Sequence, residues 1–145
     1  IRDSDIVKLG GNEWQVIEGF GHSPEHASLY CAARDVFIAG DRVLPYISPN
    51  IALSPRDSAD ADPLAGFLDS LARIKTLVPD SALVLPSHGV PFYGLHDRID
   101  TLIAHHHERC GDVAAIIGDS EMSGADIMAK LFIKRDLDGN TLFFA

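Results

Sequence analysis

Residues 1–90 are dominated by short apolar segments separated by glycine and proline turns, a pattern that predicts β-strands. Glu13–Glu18 mixes aromatic and branched apolar residues with polar ones, which is typical of a half-buried strand. Ala27–Ala33 and Val36–Ala39 flank a polar Arg34-Asp35 turn and predict a hairpin. Ala82–Leu85 is a short apolar run that predicts a buried strand. The first part of the chain is therefore expected to form a sheet of short strands.

Helical periodicity begins at Pro63, because proline after Asp62 suits the first turn of a helix. The apolar residues that follow recur three and four positions apart and predict one buried face: Leu64, Phe67, Leu68, Leu71, Ile74, Leu77 and Val78. Pro79 ends this helix. The preceding stretch, Val43–Asp62, is rich in Pro, Ser and Asp and predicts a long irregular loop, which is commonly functional.

Two more helices are predicted in the last third of the chain. Leu95–Ile117 has helical periodicity, either as one helix or as two divided at Gly111. Ser123–Ile133 follows, with Ser123 in the position of an N-cap. Strands followed by helices, with one helix inserted, predict a fold that contains both kinds of element.

Composition narrows the functions that this chain can have. The 145 residues include 46% hydrophobic and 23% charged residues, as in an ordinary globular protein, and no apolar run is long enough to cross a membrane. A net charge of −9 makes nucleic acid an unexpected partner, because phosphate contacts need clustered Lys and Arg. Cys31 and Cys110 are expected to be small buried thiols, with a disulfide as the open alternative. Free thiols favour a cytoplasmic location.

Three polar residues share one sequence context. His22, Asp41 and His88 each follow a strand-like segment at a turn that contains glycine. They are far apart in sequence, so they cannot form a local chelate, but they can converge from the ends of adjacent strands. Imidazole and carboxylate groups are ligands of zinc, iron and manganese. We therefore predict that these three side chains form a metal site.

Three motifs around these residues resemble those of the metallo-β-lactamase superfamily, which includes glyoxalase II. Gly21–His26 (GHSPEH) is similar to its GHTPGH-type motif, Phe37–Asp41 (FIAGD) to its strand ending in GD, and Leu85–Gly89 (LPSHG) to its late PSHG segment. The stretch Asp41–Ile51 resembles a subgroup with a winged-helix-like C-terminal extension. The resemblance implies the α/β class, with the C-terminal half of an αββα sandwich at residues 1–94. A helical, winged-helix-like segment would follow at residues 95–145.

The resemblance also implies a role for each matched residue. His22 would bind a first metal ion, His88 a second, and Asp41 both, which makes Asp41 the catalytic carboxylate as well as a ligand. The implied cofactor is a pair of zinc ions, with iron or manganese as alternatives, and the implied reaction is hydrolysis of a small ester or thioester by a metal-bound hydroxide. His26 matches a histidine that does not bind metal in the superfamily, and we expect it to orient a ligand or to support the turn.

One part of the superfamily pattern is absent. The HxHxDH motif, which supplies the other metal ligands, does not occur, and His105 and His107 cannot replace it because residues two apart on a helix point to opposite sides. We therefore expect a fragment of a longer enzyme, a view that the lack of an initial Met favours. Alone, the fragment is expected to be inactive and to associate with itself or with the missing half.

Three alternatives to an ester or thioester hydrolase stay open at this point. The first is a nuclease of the same fold that cleaves RNA or another phosphodiester, and the second is an iron-dependent redox relative. The third is a fragment with no catalytic role.

Overall fold

The computed structural model describes residues 1–23, 25–53, 57–58 and 60–132. These residues form five strands and three helices, which follow one another along the chain as β1 (Ile6–Leu9), β2 (Asn12–Gly19), β3 (His26–Cys31), β4 (Val36–Gly40), α1 (Pro63–Leu77), β5 (Leu83–Pro86), α2 (Leu95–Ile117) and α3 (Gly124–Leu131). The chain divides into two compact units, Ile1–Leu102 and Ile103–Ala145. The predicted α/β class is confirmed. The predicted division at residues 94 and 95, like the winged-helix assignment, stays a prediction.

The five strands form one sheet in sequence order, from β1 to β5. The first three pairings are antiparallel, whereas β4 and β5 are parallel. The four predicted strands are present with ends shifted by one or two residues, but β1 was not predicted. Its apolar residues Ile6 and Leu9 are 57% and 52% exposed, so this edge strand lacks the buried alternation by which a strand is recognised in sequence.

The strand directions bring three connecting segments to the same edge of the sheet. Antiparallel pairing sets Gly19, at the end of β2, beside His26, at the start of β3. The end of β4 lies at this same edge, because β3 and β4 are antiparallel. The end of β5 joins it, because parallel strands share their carboxyl edge, and Gly40 pairs with Pro86. The segments after β2, β4 and β5 therefore meet.

Helix α1 follows the prediction closely. The Asp62 carboxylate accepts a hydrogen bond of 2.9 Å from the Ala65 amide and caps the helix, and Pro63 occupies the first turn. The side chains of Phe67, Leu71 and Ile74 are buried, as their spacing indicated. The helix packs against β2 and covers part of the core of the first unit.

The last two helices agree with the prediction except at one glycine. Helix α2 is continuous through Gly111, so the alternative with two helices is wrong. A single glycine costs a helix about 1 kcal/mol, which a helix of 23 residues tolerates. Ser123 caps α3 as predicted, accepting a hydrogen bond of 3.2 Å from the Asp126 amide. The predicted end of this helix at Ile133 lies outside the described residues.

The two cysteines differ in environment. Both are free thiols, but only Cys31 is buried, and Cys110 is exposed on α2, which corrects the expectation that both would be buried. No helix within the described residues is long and apolar enough to span a bilayer.

Asp3 joins the start of the chain to both β2 and α1. Its carboxylate accepts hydrogen bonds from the Glu18 amide at 2.9 Å and from the Arg73 guanidinium at 2.5 Å. The Arg73 hydrogen bond is the main reason why the pKa of Asp3 falls to about 2. A lowered pKa in the folded state means that the ionised carboxylate stabilises the fold above pH 4, and that this stabilisation is lost as the pH falls towards 2.

We expect the substitution Asp3→Asn to lower the free energy of unfolding at pH 7 by about 1 kcal/mol, because the pair is partly exposed and solvent screens it. The difference from the wild type should shrink as the pH falls from 4 to 2. Urea denaturation over this pH range measures both quantities. Asp69→Asn, on the more exposed side of α1, is the control, and an equal effect of both substitutions would contradict the assignment.

Candidate metal centre

His22, Asp41 and His88 lie in the three segments that meet at one edge of the sheet. His22 follows β2, Asp41 directly follows β4, and His88 follows β5. Nε2 of His22 is 3.7 Å from Oδ2 of Asp41, and Nε2 of His88 is 3.3 Å from Oδ1 of the same carboxylate. The structure thus brings the three predicted residues together, with one imidazole facing each carboxylate oxygen.

The other ring nitrogen of His22 is held by the backbone. Nδ1 lies 2.8 Å from the carbonyl oxygen of Asn50, in the irregular stretch after Asp41. A carbonyl can only accept a hydrogen bond, so Nδ1 carries the hydrogen and Nε2 is the ring nitrogen that faces Asp41. A backbone acceptor that fixes the tautomer in this way is the usual support of a metal-binding histidine.

Asp41 is oriented by its neighbour in space, Ser87. The Ser87 hydroxyl donates a short hydrogen bond to Oδ1 of Asp41, and the Ser87 amide donates to the Gly40 carbonyl at 3.0 Å. The pairing of β4 with β5 is irregular between Ile38 and Gly40, and Gly40 has a φ of 58°. Glycine adopts this left-handed conformation without strain, so the chain can turn sharply and present Asp41 at the edge.

His26 packs beside the centre at the start of β3. The His26 ring lies against the backbone of Gly40. It fits there because glycine has no side chain, since a methyl group at Gly40 would lie 2.8 Å from the ring atoms Cε1 and Nε2. The rings of His26 and His22 are 6.4 Å apart. Burial, followed by the positive charge of Arg42, lowers the pKa of His26 and favours its neutral form. Its role in orienting a ligand or supporting the turn stays a prediction.

Solved structures share this arrangement of strands and helices. The chain is 43% identical to a β-lactamase domain protein from Burkholderia ambifaria, with a TM-score of 0.91 over 99% of this chain and 42% of the other. It is 29% identical to a metallo-β-lactamase family protein from Thermus thermophilus, with a TM-score of 0.80 over 91% of this chain and 42% of the other.

The chain belongs to the metallo-β-lactamase superfamily. It spans less than half of the length of either protein. A metallo-β-lactamase from Pontibacter korlensis, 23% identical with a TM-score of 0.54 over 72% of this chain and 47% of the other, shares the fold. No family model and no curated protein matches the sequence.

The superfamily implies a bound metal, and the side chains fit one. Two donors that bind a common ion at about 2.1 Å with tetrahedral geometry lie about 3.4 Å apart, close to both imidazole–carboxylate distances measured here. Over the described residues, no three His, Cys, Asp or Glu side chains surround a single ion position. The predicted site requires only two of these ligands for each ion. His22 and Asp41 would hold one ion, and His88 and Asp41 would hold the other.

Three groups near the site were not predicted from the sequence: Ser87, the Asn50 carbonyl and Arg42. A hydroxyl directly before His88 was the only signal for Ser87, and a backbone carbonyl carries no signal in the side-chain sequence. Tyr46 and Tyr93, considered for substrate contact or half-buried packing, are 76% and 69% exposed, which leaves their side chains accessible to a ligand.

Proposed function

We propose that this chain provides one side of a dinuclear metal centre in a hydrolase, with His22, Asp41 and His88 as ligands. The main support for this proposal is that Nε2 of His22 and Nε2 of His88 lie near different oxygens of the Asp41 carboxylate. A histidine–aspartate ion pair that served only stability would need one imidazole. Two imidazoles on the two oxygens match a carboxylate that binds two ions.

Each residue of the proposed centre has a distinct task. Asp41 would hold both ions, and the Ser87 hydroxyl fixes the rotation of this carboxylate. The Asn50 carbonyl keeps the Nε2 lone pair of His22 available. His88 is 71% exposed, so it approaches the centre from the solvent side. The bound ions, zinc by preference, would activate water and polarise the bond that is hydrolysed.

We propose a small ester or thioester as the substrate class. The net charge of −9 disfavours polyanions. Arg98, which packs on the segment after Asp41, donates to the backbone carbonyls of Leu44 and Ile47 and is thereby occupied rather than presented to a phosphate. The exposed apolar side chains Tyr46 and Val90 flank Gly89, next to His88, and could contact an uncharged acyl group.

Metal analysis of the protein at its natural length tests the proposal. We expect two zinc ions per wild-type chain, and one after either His22→Ala or His88→Ala, because each histidine serves a different ion. His105→Ala is the matched control, since His105 is an exposed helix residue, and it should keep both ions. Full metal content in both ligand variants would refute the ligand assignment.

The reaction class is tested separately with the same preparation. Turnover of thioesters or aryl esters that stops on chelation and returns with zinc is the expected result. Cleavage of phosphodiesters or RNA instead would replace the proposed substrate class. Tightly held iron with oxygen consumption would replace hydrolysis by redox chemistry.

A further inference from the structure

Arg42, the residue after Asp41, has the largest of the fully buried side chains in the described part of the chain. Its exposed fraction is 1%, and no ion pair joins it to a carboxylate among the described residues. Burying an arginine without an opposite charge is strongly unfavourable. A residue that only filled space here would be apolar, so the guanidinium must make contacts that an apolar side chain cannot.

Those contacts lie at the two ends of the segment that carries His22. Nη1 of Arg42 donates to the Phe20 carbonyl at 2.8 Å, directly after β2, and Nη2 reaches the His26 carbonyl at 3.4 Å, at the start of β3. Gly19 lies against the same group, because a methyl group added there would be 2.2 Å from Nη1. The planar fork of arginine spans two separate acceptors in a fixed geometry that the single ammonium of lysine does not offer.

We propose that Arg42 is a positioning residue that locks the His22 segment in register with Asp41. The backbone of Arg42 follows Asp41 directly, while its side chain holds both ends of the neighbouring segment. One residue thereby fixes the distance between two side chains that must share an ion. This inference rests on the proposed function for the role of His22 and Asp41 as ligands, but the contacts themselves do not depend on it.

Other contacts hold the beginning of the His22 segment in place. The Phe20 amide is held by the Ser70 hydroxyl at 2.9 Å, and Gly21 lies against α1, where a methyl group would be 2.5 Å from Cβ of Phe67. These contacts fix the beginning of the segment. Arg42 joins that beginning to the His26 carbonyl at its far end. Loss of the guanidinium should therefore free the segment that carries His22 while β4 and Asp41 stay in place.

The test compares Arg42→Gln and Arg42→Lys with Arg73→Gln in the protein at its natural length. Arg73 is a matched control, because its guanidinium also bonds a backbone carbonyl, that of Glu18, which lies within β2 rather than in the His22 segment. The first measurement is hydrogen exchange of the amides at residues 20–23 and 25–26 in metal-free protein. We expect exchange about 10-fold faster or more in Arg42→Gln, a smaller change in Arg42→Lys, and none in Arg73→Gln.

The second measurement is a titration with cobalt, followed by its visible absorption. We expect the binding step that His22→Ala abolishes to weaken by about 10–100-fold in Arg42→Gln, and the other step to stay within about threefold. Arg42→Lys keeps the charge and the apolar stem, so it provides a folded variant if Arg42→Gln does not fold. A stability loss without either local effect would mean that Arg42 only fills the core, and would overturn the proposal.

The two hypotheses can fail separately. If the wild-type protein binds no cobalt or zinc, the proposed function is wrong, and hydrogen exchange alone decides whether Arg42 holds the segment. If the wild type binds two ions and Arg42→Lys binds them equally well with unchanged exchange at residues 20–23 and 25–26, the positioning role is wrong and the metal centre stands.

Discussion

The substitution Asp41→Asn is expected to reduce metal content from two ions to less than one per chain and to lower hydrolytic turnover by at least about a thousandfold. Asparagine has nearly the same shape, but its amide nitrogen has no lone pair for a metal, and its remaining oxygen is neutral. Both ions should be affected, because Asp41 faces His22 through one oxygen and His88 through the other. Elemental analysis and steady-state kinetics on the protein at its natural length measure the two effects.

Asp69→Asn makes the same chemical change on α1, away from the proposed ligands in sequence, and should leave both ions and the rate unchanged. The free energy of unfolding of metal-free Asp41→Asn should differ little from that of the wild type, because Asp41 is partly exposed and asparagine can still accept from Ser87. Retention of one ion at wild-type affinity would show that Asp41 serves a single metal.

The substitution Phe37→Ala is expected to lower the free energy of unfolding by about 3–5 kcal/mol. Phe37 lies in β4, between β3 and β5, and its side chain is fully buried. Removing its ring loses the transfer free energy of the buried atoms and leaves a cavity that the surrounding core closes only in part. Because domains are stable by only about 5–15 kcal/mol, this change removes a large share of the total. Urea denaturation measures the loss.

Phe20→Ala is the matched control for Phe37→Ala. The Phe20 side chain is 51% exposed, so the same truncation there should cost less than about 1 kcal/mol. Similar losses at both positions would mean that β4 is not at the centre of the stable core. The metal content of Phe37→Ala should follow its folded fraction, since the site at the end of β4 depends on the strand rather than on this ring.

The sequence predicts the structure best where interactions between residues close in the chain form the element. Helix α1 could be predicted because its cap, its first-turn proline and its apolar spacing all act within a few residues. Strand β1 could not, because an exposed edge strand is defined by its partner, and the pairing with β2 is not encoded in its own four residues. Gly111 does not interrupt α2, because the length of this helix outweighs the low helix propensity of one glycine.

In the candidate metal centre, the sequence predicts the proposed ligands but not the groups that orient them. His22, Asp41 and His88 were identified from turns that contain glycine and from motif resemblance, and the structure brings them together. The groups that orient them were not identified, since a carbonyl of Asn50 or the fork of a buried Arg42 has no signature in sequence. Their effect comes from acceptors that lie close in space and far apart along the chain.

The positions of most elements follow from the sequence, because periodicity, caps and turns are local properties of the chain. The α/β class and the three proposed ligands follow from their turns together with the motif resemblance. Only the folded chain shows which strand ends share an edge, which oxygen of Asp41 each imidazole faces, and that Arg42 lies buried against the segment that carries His22. These features depend on strand direction and close packing between distant segments, and such contacts are fixed only when the sheet has formed.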